Sequence, residues 1–66
     1  MKVSVPRGSL AFVHGVATSA RLRGGMLEVV AADDDAALIR IDHAFAPLVM
    51  QFIGGEMSPI TVEEVE

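Results

Sequence analysis

Apolar and polar residues alternate along much of this chain, and the alternation predicts strands. In "MKVSV" the valines at 3 and 5 share one face, and Pro6 and Gly8 end the run. Pro6–Gly8 reads as a turn between two strands. The segment "SLAFVHGVATSARLR" fits two patterns. As a helix it would begin at Ser9, align Leu10, Val13, Ala17 and Ala20, and stop at Gly24 and Gly25. As a strand pair it would turn near Gly15. A glycine there costs a helix about 1 kcal/mol relative to alanine. Val13, Val16 and Thr18 are β-branched, so strands are favoured.

"MLEVVAA" and "ALIRID" are short apolar runs separated by "DDDA". Three consecutive aspartates suit a solvated turn. A β-hairpin is expected here, with Val29 or Val30 facing the core opposite Ile39 and Ile41. Further on, Leu38, Ile41, Phe45, Leu48 and Phe52 recur at heptad spacing, which would make residues 36–53 one helix. Pro47 opposes that, because a proline in a helix interior costs ~3 kcal/mol or more. It also pushes Ala46 away from helical angles. After the break, "PLVMQFIGG" fits a short helix with Pro47 at its first position and Gly54 just past its end, or a buried strand. The tail "PITVEEVE" closes the chain as a strand, with Ile60, Val62 and Val65 apolar. The expected fold is therefore mainly β, one domain over residues 1–66: a small, partly open barrel or sandwich with one short helix near 47–53. "LRGGML" and "FIGGEM" repeat a Gly-Gly turn, which outlines a duplicated hairpin. So few matching positions make coincidence the favoured reading.

Composition adds a second constraint. At 66 residues the chain is near the lower limit for folding alone. Yet 52% of it is hydrophobic before its six glycines are counted, against about 45–50% with glycine included in an average globular chain. A small domain has proportionally more surface and should be less apolar than average. Part of this side-chain area is therefore expected at an interface. The chain has no cysteine, so it is not a disulfide-stabilised secreted protein. A well-packed core or oligomerisation must take the disulfides' place. The first twenty residues have the basic start and small residues of a secretory signal, but His14 and Gly15 interrupt the apolar stretch. No stretch approaches the ~20 apolar residues of a membrane span.

Net charge is −4 and unevenly spread. Lys2, Arg7, Arg21 and Arg23 occupy a first part without acids, whereas all nine acids follow, against Arg40 alone. The asymmetry suits docking of one half on the other, a head-to-tail contact between copies, or simply two solvated faces. With a negative total and no Tyr or Trp, nucleic acid is disfavoured as a partner.

Candidate chemistry is sparse. Asp42 and His43 are adjacent, and adjacent residues on a strand point to opposite faces, so they are badly placed to act together. Counted from Asp33, the glycine and glutamate positions of a calcium loop hold Leu38 and Ala44. No phosphate-binding loop or zinc-ligand spacing is present, and no cofactor is expected. The function expected is non-enzymatic: a structural or assembly protein that self-associates or docks as a small accessory subunit on a larger complex. Its setting would be the cytoplasm or a viral particle, such as a phage virion. Phe45, Leu48, Val49, Met50, Phe52 and Ile53 are the expected partner-binding residues, because large apolar and Met side chains make adaptable anchors. They would equally serve as core. The alternative is a small acidic inhibitor or regulator presenting Asp33–Asp35 and Glu63–Glu66 to a basic, nucleic-acid-binding target.

Overall fold

The alternation is realised as eight strands in two four-stranded sheets, in a computed structural model that describes residues 1–65. The strands are β1 (Lys2–Pro6), β2 (Leu10–Val13), β3 (Gly15–Arg23), β4 (Met26–Asp33), β5 (Leu38–Asp42), β6 (Leu48–Ile53), β7 (Glu56–Ile60) and β8 (Glu63–Val65). The first sheet has the order β1-β4-β3-β8 and the second β2-β5-β6-β7. All pairings are antiparallel except β3 with β8. There is no closed barrel, and the described residues contain no helix.

The core lies where the inward faces of the two sheets meet. Val5, Ala20, Leu27, Val29 and Ala31 come from the first sheet, and Ile39, Ile41 and Val49 from the second. Leu27, Val29, Ile39, Ile41 and Val49 are wholly buried. Their spacing of two along β4 and β5 is the pleat repeat that puts alternate side chains on one face. The exposed area of 4211 Å² is close to the roughly 4,000 Å² expected of a folded monomer of this mass. The apolar excess in the sequence is thus not a matter of extra surface. It lies in what occupies the surface.

Both Gly-Gly pairs form two-residue hairpin turns, one joining β3 to β4 and the other β6 to β7. Gly24 and Gly25 have φ of 55° and 79°, and Gly54 and Gly55 have 57° and 77°. Two successive positive φ values are the mark of a type I′ turn, whose twist matches that of the strands it joins. Both Gly-Gly motifs are therefore hairpin turns of one kind. A Cβ on Gly54 would touch nothing within 4 Å, so Gly54→Ala carries only the left-handed backbone penalty of about 1–2 kcal/mol. Thermal unfolding should show it as a melting point lower by roughly 4–15 °C.

Four expectations need correction. The short helix near 47–53 is strand β6, held between β5 and β7. Pro47 precedes it, and alternation rules: Val49 and Gln51 are buried while Leu48 and Phe52 are exposed. The hairpin expected across "DDDA" is absent, because β4 and β5 belong to different sheets. The aspartates do form a turn, in which the Asp34 carboxylate accepts the Ala36 N–H at 2.9 Å. Val29 does share the core with Ile39 and Ile41, but across the core rather than along a ladder. Residues 9–23 form strands as favoured, yet β2 and β3 do not pair; β2 joins β5, and β3 joins β4. The tail is two strands, β7 and β8, in different sheets.

Gln51 ties the sheets together. Its Oε1 accepts the Ala17 N–H at 2.6 Å, and its Nε2 donates to the carbonyls of Gly15 and Leu38 at 2.9 and 3.1 Å. The partners fix the amide's orientation, since one is a donor and two are acceptors. They sit beside a bulge in β3 between Ala17 and Ser19, where the ladder to β4 shifts register. Gly15 has no room for a side chain, because a Cβ there would lie 2.7 Å from the Ala32 carbonyl oxygen.

Candidate interaction surface

Antiparallel register fixes which residues share the outward face of the second sheet. Leu10, Asp42 and Leu48 form one row across β2, β5 and β6. Phe12, Arg40, Met50 and Pro59 form the next, continuing onto β7. Leu38, Phe52 and Met57 form the third. Eight of these ten side chains are apolar, and the two charged ones stand together on β5. Phe12 is 58% exposed, Met57 59%, Leu10 47%, Leu48 45% and Phe52 37%. With roughly 200 Å² per side chain, these five alone present on the order of 500 Å², near the top of the range for the largest apolar patch on a monomer.

The outward face of the first sheet is built differently. Lys2 pairs with Glu28 at 3.3 Å, Arg23 with Glu28 at 3.9 Å and Arg21 with Glu63 at 3.7 Å. These pairs bring three of the four basic N-terminal residues onto two of the acids that follow. Exposed pairs of this kind contribute about 0–1 kcal/mol each. Their main consequence is a polar, solvated face, interrupted by Met26 and Val30. The two sheets thus turn opposite characters to the outside.

On the apolar face, the Arg40 guanidinium donates to Asp42 Oδ2 at 3.1 Å. Asp42 Oδ1 accepts the Ala44 N–H at 3.0 Å. The Asp42 carboxyl is held below its ordinary value of 3.8 chiefly by that backbone N–H, which outweighs the opposing desolvation, with the hydrogen bond and charge of Arg40 adding to the lowering. Because the folded pKa is depressed, its stabilising contribution is present above pH about 4 and fades as pH falls through the lower folded value. Urea unfolding at a series of acid pH values should show Asp42→Asn lacking this part of the acid dependence.

The expected partner-binding residues divide. Phe45 is fully exposed at the tip of the β5–β6 loop, beside the row of Leu10, Asp42 and Leu48. Leu48, Met50 and Phe52 lie on the outward face. Ile53 is 46% exposed at the end of β6, where all residues from 52 to 59 are exposed and the β6–β7 hairpin projects from the body. Val49 is the correction: it is wholly buried against Ile41 and belongs to the core. Leu10, Phe12, Leu38 and Met57 complete the surface and were not anticipated. Their one sequence signal is size, since along β2 the large Leu10 and Phe12 face outward while Ala11 and Val13 pack on the core.

Other candidate chemistry does not converge. His43 is buried, and its Nδ1 donates to the Val5 carbonyl at 3.0 Å. Its backbone also bonds Gly8 and Ser9, so it clasps the β1–β2 turn. His14 Nδ1 bonds the Ala37 carbonyl at 3.2 Å, elsewhere in the molecule. Among the described residues there is no pocket and no group of three potential metal ligands. No helix is long and apolar enough to cross a membrane. The acids do not form one face: Glu63 is shared with Arg21, Asp34 bonds its own turn, and Glu66 lies outside the described residues. Comparison with known protein families, with characterised proteins and with solved structures yields no match.

Proposed function

We propose that this chain is a non-enzymatic assembly protein whose two-sheet, sandwich-like body makes contact through the outward face of β2-β5-β6-β7. The observation that carries the reading is the contrast between the two outer surfaces, one ion-paired and solvated, the other apolar over three consecutive rows. A soluble monomer rarely maintains such a patch without using it, because apolar area left in water is unfavourable by about 25 cal/mol per Å². The contact would be with other copies or with a larger protein complex, in the cytoplasm or in a viral particle. A small acidic inhibitor or regulator of a basic, nucleic-acid-binding target is the weaker reading, since Asp34 bonds its own turn and Glu63 is paired with Arg21.

Phe12→Asp tests the reading. Phe12 is more than half exposed, so the variant should fold with stability within about 1 kcal/mol of the parent. It should lose the concentration-dependent rise in mass, or the co-migration with a larger complex, that native mass measurement finds for the parent chain. A parent chain that stays monomeric alone and in extracts of its source, with the variant indistinguishable from it, sinks the proposal.

A further inference from the structure

We infer that the occupant of this face is a second copy of the chain, related by a twofold axis that runs in the plane of the contact, across β5 at the level of Ile41. This rests on the assembly reading above and specifies it. The face carries one cation and one anion, two residues apart on the same strand. Under any neutral, apolar partner both would lose water without gaining a counter-ion, which is costly even for an internally paired couple. A twofold contact requires that if residue i meets j, then j meets i. An axis across β5 reverses that strand and sets Arg40 of each copy over Asp42 of the other, closing a ring of four alternating charges. An axis along β5 would instead set Arg40 over Arg40, so the charges select between the two.

The remaining rows agree with the same operation. Leu10 meets Phe12 of the second copy, Leu48 meets Met50, and the third row of Leu38, Phe52 and Met57 is carried over the partner's β5–β6 loop, where Phe45 is fully exposed. Area is consistent too. Two patches of on the order of 500 Å² each, with the loop added, reach the roughly 1,000 Å² total that marks a specific contact of modest strength. Edge-to-edge pairing is the rival geometry, and β7 is ill suited to it. Counting from the two-residue turn, Pro59 falls at a position whose backbone N–H would point to the free edge, and proline has none.

The experiment uses charge exchange, read by sedimentation over a range from about 1 μM to several hundred μM. The parent chain should show a reversible monomer–dimer equilibrium. Arg40→Asp and Asp42→Arg should each weaken it by about tenfold or more. Mixing the two variants, or combining both changes in one chain, should restore it, because each arrangement again sets opposite charges over one another. Since Asp42 also caps the following turn, a second measurement avoids it. The natural chain has no cysteine, so Leu10→Cys and Phe12→Cys proteins mixed under oxidised glutathione should cross-link to each other in preference to themselves. Failure of restoration together with unselective cross-linking overturns the twofold arrangement, and self-association that Phe12→Asp still abolishes would then leave the assembly reading standing. A parent chain monomeric throughout overturns the second-copy proposal, while co-migration with a larger complex would separately preserve docking on a different protein.

Discussion

Replacing Gln51 with leucine is expected to lower the free energy of unfolding by about 3–9 kcal/mol, measured by urea denaturation. Leucine fills similar space but leaves the Ala17 N–H and the carbonyls of Gly15 and Leu38 without their partner. Each buried orphan costs about 1–3 kcal/mol. A domain of this length has only about 3–10 kcal/mol in total, so much of the variant should be unfolded at room temperature. Gln51→Glu gives a sharper test. A glutamate here can accept from Ala17, but its second oxygen faces two carbonyl acceptors and must carry a proton to bond either. Its folded pKa is therefore raised above the unfolded value of about 4.3. Relative to the parent, the variant should keep its stability at pH below about 4 and lose it as pH climbs through the raised folded value. A flat difference between variant and parent across that interval would show that Gln51 is not held between those three backbone groups.

Val49→Asp and Phe52→Asp, three residues apart on β6, should behave in opposite ways. Val49 is wholly buried beside Ile41 and Ile60. An unpaired charge there costs more than about 5 kcal/mol, and circular dichroism should report an unfolded chain. Phe52 is exposed on the outward face, so Phe52→Asp should retain the parent's spectrum and a two-state melt. Its deficit should appear only in association. Equal unfolding by both would mean that β6 is packed on both sides, and the exposed face would lose its basis.

Strands β1 to β5, the aspartate turn and the two glycine turns were legible in the sequence because each is specified locally, by alternation or by backbone freedom at a few residues. Strand pairing was not. A four-residue turn serves equally well between neighbours in one sheet and between sheets, and alternation gives only the parity of a residue. Hence the β4–β5 connection reads as a hairpin when the chain in fact changes sheet. Strand β6 shows why the surface was half-visible. Leu48, Met50 and Phe52 face outward and Val49 inward, all apolar, so the period-two signal that marks a half-solvated strand is erased. A run that is apolar on both faces reads as core or helix. The feature that hid the strand is the one that suggests a partner.

The chain passes between the two sheets at four connections: β1 to β2, β2 to β3, β4 to β5, and β7 to β8. Neither layer is contiguous in sequence, and the first is completed only by strands from both ends of the chain, β1 and β8. Partial structures would expose unfinished ladders with little apolar burial to offset the lost chain entropy. Unfolding should accordingly be all-or-none, and folding slow for so short a polypeptide, on the order of milliseconds to seconds. Trimming β1, which supplies Val5 to the core, should cost the molecule its whole architecture rather than a single strand.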